Sequence, residues 1–303
     1  MAEPRSSPGA RLAGASTKIR RDSPGRFASS LPLLAPAVLL GLFLGLPVVV
    51  LVARSVADGS LVRASTARVV ADGLALSLGT TAVSLALTAA CGLPLAYALA
   101  RRRFRGSGLV EVIVDLPLVL PPSVAGIALL LTLGRRGLLG EPLASAGIEV
   151  PFTTLAVILA QVYVSAPFFV RSARSGIEGV GRDIEDAARV DGADEGAVLR
   201  HITLPLAASP IAAGLVMSWA RALGEFGATI MFAGNIEGRT QTLPLVVYGE
   251  FQGGDLDASI AAAAILVLAA FGVLAAVRLL HWGRALDLRN ITRAVREDGS
   301  GAA

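Results

Sequence analysis

Lysine is almost missing from this chain: of 27 basic residues, only Lys18 is not an arginine. Lys18 is followed by Ile19 in a Pro-, Ser- and Arg-rich stretch. The Gly-Lys-Ser/Thr core of a phosphate-binding loop is therefore absent. There is one cysteine, Cys91, which excludes an intrachain disulfide. It lies in an apolar run, where it reads as inert packing. The two histidines, His201 and His281, are far apart and form no HExxH pair, which excludes a His-rich metal cluster. No nucleophile elbow or comparable hydrolase motif is visible. Charge is scarce as well: 17% of residues are charged, against ~25% in soluble domains. What is abundant is apolar surface, with 54% hydrophobic residues and a mean hydropathy of +0.67. That balance describes a chain that crosses a membrane several times.

A bilayer core of ~30 Å needs about 20 helical residues. By that rule the 303 residues hold about six spans, near 31–53, 70–100, 109–133, 152–171, 206–234 and 256–280. The second and fifth exceed the minimum, so part of each projects or tilts. Residues 1–27 read as a disordered basic tail. The first apolar run, with Ser55-Val56-Ala57 after it, has the look of a signal peptide and cleavage site. It is longer than the roughly 7–15 residues of a secretory h-region, so it is read as an uncleaved span. The expected organisation is a tail (1–27), a first span and outer loop (28–69), a transmembrane core (70–285) containing a polar loop (172–205), and a C-terminal tail (286–303).

Arginine placement sets the orientation. With an even number of spans and the N-terminus inside, 20 of the 27 basic residues fall in the two tails and in the loops at 101–105 and 171–205. Six fall in outer loops, and Arg221 lies within a span. Both termini and the 171–205 loop are therefore expected in the cytoplasm.

That loop contains DAARVDGADEGAVLRHITLP, Asp186 to Pro205. Asp183 is placed to cap a helix, with Asp186 three residues on. Ala187 and Ala188 favour helix with small side chains. Gly192 can end that helix in a left-handed cap. A second short helix then runs to Thr203, and Pro205 starts the next span, where proline is tolerated. On physics alone two readings fit: an ordinary capped loop, or a handle whose small residues let a partner's groove approach the backbone.

The segment resembles the coupling loop of ABC-transporter permeases, whose pattern is Glu-Ala-Ala, three residues, Gly, nine residues, Ile-x-Leu-Pro. Asp186, Ala187, Ala188, Gly192, Ile202, Leu204 and Pro205 stand at those places, with Asp in place of the first Glu. The stretches RALGEFGATIMFAGN (Arg221 to Asn235), IEGRTQTLPL (Ile236 to Leu245) and DLPLVLPPSVAG (Asp115 to Gly126) resemble the permease subunits of molybdate importers. Sulfate permeases carry a similar Gly-Glu-aromatic-Gly motif, so tungstate and sulfate are the neighbouring alternatives. The resemblance covers about residues 70–290.

Those motifs also have a reading of their own. Pro117, Pro121 and Pro122 interrupt backbone hydrogen bonding in the third span. The freed carbonyls either line a water-filled path or are packed by neighbours at a kink. Ser123 offers a hydroxyl, and Gly126 a close backbone approach. Gly224, Gly227 and Gly234 thin the fifth span, in which Thr229 also falls. Arg221 and Glu225 lie four apart and can pair on one helix face. A bare carboxylate beside an anion's path would repel it, so Glu225 is expected to be structural or gating rather than a ligand.

The resemblance implies an all-α membrane protein of the type I importer permease fold. It implies no enzyme activity and no cofactor in this chain, with ATP and Mg on a separate subunit. The implied partners are two ATP-binding subunits, a second copy of this permease, an extracytoplasmic oxyanion-binding protein and the lipid bilayer of a bacterial plasma membrane, with no nucleic acid. An ion-coupled secondary transporter is the competing class. It would need buried coupling charges and often inverted repeats, and only one candidate pair and no repeat are visible.

Overall fold

The computed structural model describes residues 31–102 and 104–300, with side chains over 34–102 and 104–278. The expected basic tail at 1–27 lies outside the described residues. All regular structure among the described residues is helical: α1 (Leu31–Ala57), α2 (Ser60–Thr66), α3 (Arg68–Arg101), α4 (Ser107–Val119), α5 (Pro122–Leu133), α6 (Gly140–Ser145), α7 (Thr154–Glu178), α8 (Arg182–Val190) and α9 (Glu195–Val198). A π-turn (Leu199–Thr203) follows, then α10 (Leu204–Leu206), α11 (Ala208–Leu223), α12 (Gly227–Phe232), α13 (Leu243–Gln252) and α14 (Leu256–Ser300). The described residues fall into two units, one up to Val48 and the other from Val49 onward. In the first, the apolar side chains of α1 from Leu34 onward are exposed, as a lipid-facing helix requires.

The second unit is built on α7, which packs against both α3 and α11. Lipid tails are as apolar as leucine, so helices in a bilayer associate through small residues and buried hydrogen bonds rather than through greasy faces. The buried stripe of α3 follows that rule: Gly73, Ser77, Thr80, Thr81, Ser84, Thr88, Gly92 and Ala96. A methyl group on Gly92 would stand 2.9 Å from the Phe169 ring, and one on Gly214 would stand 2.8 Å from Ser172 Cβ. Gln161 Nε2 donates to Thr80 Oγ1 (3.2 Å) and Thr81 Oγ1 (3.3 Å), while Ser218 Oγ donates to the Ser165 carbonyl (3.1 Å).

Among the described residues four helices, α1, α3, α7 and the apolar part of α14, are long and apolar enough to cross a membrane. The segments Glu195–Leu206 and Ala208–Leu223 add a fifth if taken together, although they meet at 72°. The expected third span is two helices, α4 and α5, separated at Leu120–Pro121. Leu120 is extended, which is the conformation that a following proline imposes. The expected fifth span ends at Leu223, and α12 begins only at Gly227. Between the expected fifth and sixth spans lies α13, whose Leu243, Leu245 and Val246 are buried. The apolar part of α14, Leu256–Arg278, coincides with the expected sixth span, and the helix continues to Ser300. Cys91 is exposed on α3 rather than packed inside.

Candidate functional site

The polar loop between α7 and α11 folds as two short helices. Helix α8 is capped at Gly181 rather than at an aspartate, and Asp183 lies in its first turn with Glu185. Both acids there suit the positive end of the helix dipole. The helix ends as the glycine predicts: Gly192 has φ +93°, the Ala193 amide donates to the Ala188 carbonyl (2.9 Å), and the Gly192 amide donates to the Arg189 carbonyl (3.1 Å). This pair of bonds is a Schellman cap. Asp194 then caps α9 by accepting from the Ala197 amide at 2.7 Å. The π-turn and α10 carry Ile202, Leu204 and Pro205, and the chain bends at Ala207. The next helix, α11, therefore begins at Ala208, three residues after Pro205.

Asp186 and Ala187 are exposed, Ala188 is half-buried, and Ile202 and Leu204 are half-buried beside an exposed Pro205. Ile184 and Val190 are exposed on α8, at 52% and 87%. An apolar edge of Ile184, Ala187 and Val190 thus faces away from the protein. Asp186 is not free: Arg189 Nη1 donates to its Oδ1 at 2.6 Å. Arg189 Nε also donates to Glu195 Oε1 at 2.7 Å, and the Tyr97 hydroxyl on α3 donates to Glu195 Oε2 at 3.4 Å. Those arginine hydrogen bonds hold the Glu195 carboxyl below the usual carboxylate range.

Beneath this exposed set lies a buried one. Glu185 is the only buried residue of α8. Its Oε1 accepts from Arg101 Nε (3.1 Å), Arg101 Nη2 (2.9 Å) and Thr203 Oγ1 (2.7 Å). Arg101 Nη2 also donates to the Val180 carbonyl at 2.9 Å. A cleft of about 460 Å³ opens over these groups, lined by Tyr97, Arg101, Arg102, Arg189 and Glu195 among others. Sequence reasoning passed over Glu185, Arg101 and Thr203. Arg101 was one of a run of arginines read only as a topology signal, and Glu185 was an unremarked neighbour of Asp186. No local signal separates Glu185 from Asp186, because its partners Arg101 and Thr203 meet it only in the folded chain.

A second constellation joins the proline and glycine motifs. Pro121 precedes α5 and Pro122 opens it, where a missing amide costs nothing. Both are exposed, Ser123 is half-buried and Gly126 is buried. Helix α12 packs across this start. A methyl group on Gly126 would lie 2.6 Å from the Ala228 carbonyl oxygen, and one on Gly227 would lie 2.9 Å from Pro122 Cβ. The two glycines therefore interlock the helices.

Glu225 is buried beside this junction, and its Oε1 accepts from the Ala228 amide at 2.7 Å, holding the first turn of α12. Arg221 Nη1 stands 2.5 Å from Glu225 Oε2. The guanidinium is within ion-pairing distance but out of line for a hydrogen bond, so Oε2 makes none. Thr229 is buried with its hydroxyl unpartnered. Pro121, Pro122, Ser123, Gly126, Gly227 and the Glu225 carboxylate thus form one junction, with Arg221 at its edge.

A helical bundle with a projecting two-helix loop is the architecture of a transporter's membrane subunit, and relatives of this chain bear that out. Residues 92–282 match the family described as the inner membrane component of binding-protein-dependent transport systems, and the chain belongs to that family. It is 45% identical over 197 residues to the molybdenum transport system permease protein ModB of Mycobacterium tuberculosis, covering 65% of this chain and 74% of that one. It is 42% identical over 187 residues to ModB of Escherichia coli K12, covering 61% and 82%. A bacterial ABC transporter for the acidic polysaccharide alginate shares the fold, with a TM-score of 0.67 and 18% identity over 84% of this chain and 96% of the other. A second structure of an alginate transporter, in complex with a pentasaccharide-bound periplasmic protein, gives a TM-score of 0.65 and 18% identity over 81% and 91%.

Proposed function

We propose that this chain is the membrane permease of an ATP-driven importer that carries molybdate into the cell. The observation that carries this reading is the 182–206 loop: a two-helix projection that turns the small apolar edge Ile184, Ala187 and Val190 outward, on a chain without a phosphate-binding loop of its own. Such an edge fits the groove of a separate ATP-binding subunit, which would hold the ATP and Mg. Asp186, Ala187, Ala188, Gly192, Ile202, Leu204 and Pro205 form this docking loop. The assembly takes two copies of the permease, two ATP-binding subunits and an extracytoplasmic binding protein that presents the oxyanion. The reading places six spans in the membrane, with α4 and α5 together making a broken third one, and both termini and the docking loop in the cytoplasm. Identity of 40% or more to permeases named for molybdenum supports the choice of cargo.

The α5–α12 junction fits a gate. Two interlocked helix starts, each short and each freed from its predecessor by proline or glycine, can move as a unit when the docking loop is displaced. Glu225 then serves to hold α12 and to balance Arg221, not to contact the anion. Conduction needs weak binding along the path, so affinity belongs to the binding protein. Uptake of labelled molybdate into vesicles containing the complex and its binding protein tests the cargo. The expected result is competition by tungstate and little by sulfate; sulfate competing as well as molybdate would overturn the cargo assignment.

A further inference from the structure

Helix α8 has an unusual attachment. A short surface helix normally seats an apolar face on the protein beneath it. Here Ile184 and Val190 point outward, and the one buried side chain is Glu185. The carboxylate is held from three directions: by Arg101 at the end of α3, by Thr203 in the π-turn that leads to α11, and through the same arginine by the Val180 carbonyl at the end of α7. The Arg101 and Glu185 side chains are only 8% and 2% exposed. Removing one partner of such a pair leaves an uncompensated buried charge, so the link does not open easily. The other ion pair from α8, Arg189 with Glu195 of α9, and the Tyr97 bond to the same glutamate are exposed and individually weak, while Arg189 with Asp186 lies within α8 itself.

We propose that Arg101, Glu185 and Thr203 are positioning residues that couple α8 mechanically to α3, α7 and α11, so that displacement of α8 by a partner is delivered to the membrane helices instead of being absorbed in the loop. The inference rests on the reading of α8 as the docking helix for an ATP-binding subunit. Charge and hydrogen bonding do what an apolar seat would do for another helix. This arrangement leaves the apolar residues of α8 free for the partner.

The test uses the full complex with its ATP-binding subunit and binding protein in proteoliposomes. Three quantities are measured for each variant: subunit stoichiometry on co-purification, ATP hydrolysis, and molybdate taken up per ATP hydrolysed. Arg101→Met and Glu185→Gln are expected to co-purify at wild-type stoichiometry and to hydrolyse ATP, while uptake per ATP falls by about 5- to 150-fold, the range of a lost coupling of ordinary size. Arg101→Lys, which keeps the charge, restores part of the ratio. Thr203→Val removes one donor while leaving the ion pair, and lowers the ratio less.

An unchanged ratio in Arg101→Met and Glu185→Gln complexes of normal stoichiometry overturns the inference. If those two variants do not accumulate, Thr203→Val decides: a lowered ratio supports the linkage and an unchanged one refutes it. Failure of the wild-type chain to co-purify with any ATP-binding subunit would instead refute the docking reading beneath it.

Discussion

Replacing Glu225 by alanine removes two interactions from a site where water cannot substitute for them. The carboxylate is 1% exposed, it accepts the Ala228 amide at 2.7 Å, and Arg221 stands 2.5 Å away. Breaking a buried pair by deleting one member costs about 3–5 kcal/mol. Arg221 is 28% exposed and retains a route to solvent, which places this case near 3 kcal/mol. At about 2–4 °C per kcal/mol for a chain of this size, the unfolding midpoint should fall by roughly 6–12 °C.

Glu225→Gln keeps an oxygen for the Ala228 amide and loses only the charge. Its cost should be about 1–2 kcal/mol, since a hydrogen bond to a charged group exceeds a neutral one by that order. Pairing Glu225→Ala with Arg221→Met should recover at least about 0.5 kcal/mol over additivity, as expected of residues in contact. Thermal unfolding of the detergent-solubilised protein, followed by intrinsic fluorescence, reads these three variants and Arg221→Met alone, which completes the cycle. A fall of under about 2 °C for Glu225→Ala, below about 1 kcal/mol on the same scale, together with strict additivity, would refute the account of this pair.

Other outcomes follow from the same geometry. Gly126→Ala places a methyl group 2.6 Å from the Ala228 carbonyl; overpacking of this kind costs about 1–3 kcal/mol, and uptake should drop while the ATP-binding subunit still co-purifies. Ile184→Asp with Val190→Asp alters only exposed positions, so stability should stay within about 0.5 kcal/mol per change while co-purification of the ATP-binding subunit is lost; retained co-purification would contradict the docking edge. The Glu195 carboxyl is depressed below its ordinary 4.5 by Arg189. A depressed carboxylate contributes attachment that is complete above its unfolded value and lost as pH falls through its folded one. Amide exchange in 186–195 should therefore be insensitive to this group from neutral pH down to about 5, and rise only at or below about pH 4. Loosening between pH 7 and 6 would speak against it.

Span existence was legible because it depends on little more than length and hydropathy. Helices α1, α3, α7 and α14 begin within two residues of the expected limits, since twenty apolar residues leave few alternatives in lipid. Span interruptions were less legible. Pro121 and Pro122 announced a break, but its form, two helices with α12 lying across the second, depends on Gly126 meeting Ala228. That contact joins segments about a hundred residues apart. Gly192 was readable because a left-handed cap is a local requirement. The α8 start was misread because Asp183 has capping chemistry, yet Gly181 takes the cap position and leaves the aspartate in the first turn. Glu185 was illegible for a different reason. Nothing local distinguishes it from the exposed Asp186 beside it, and its burial is decided by Arg101 and Thr203, which only the folded chain brings together. The Arg221–Glu225 pair was foreseen from its spacing, whereas the bond from the Ala228 amide to Glu225 was not, because it required α12 to start just after Gly224.

The most direct test is reconstitution of this chain with its ATP-binding subunit and a molybdate-loaded binding protein in proteoliposomes, measuring uptake and ATP hydrolysis together. The account predicts that uptake requires ATP and that neither activity occurs with the chain alone. It also predicts that the Ile184→Asp, Val190→Asp double variant abolishes both by preventing assembly. Molybdate uptake by the chain alone, driven by an ion gradient and indifferent to ATP, would contradict it.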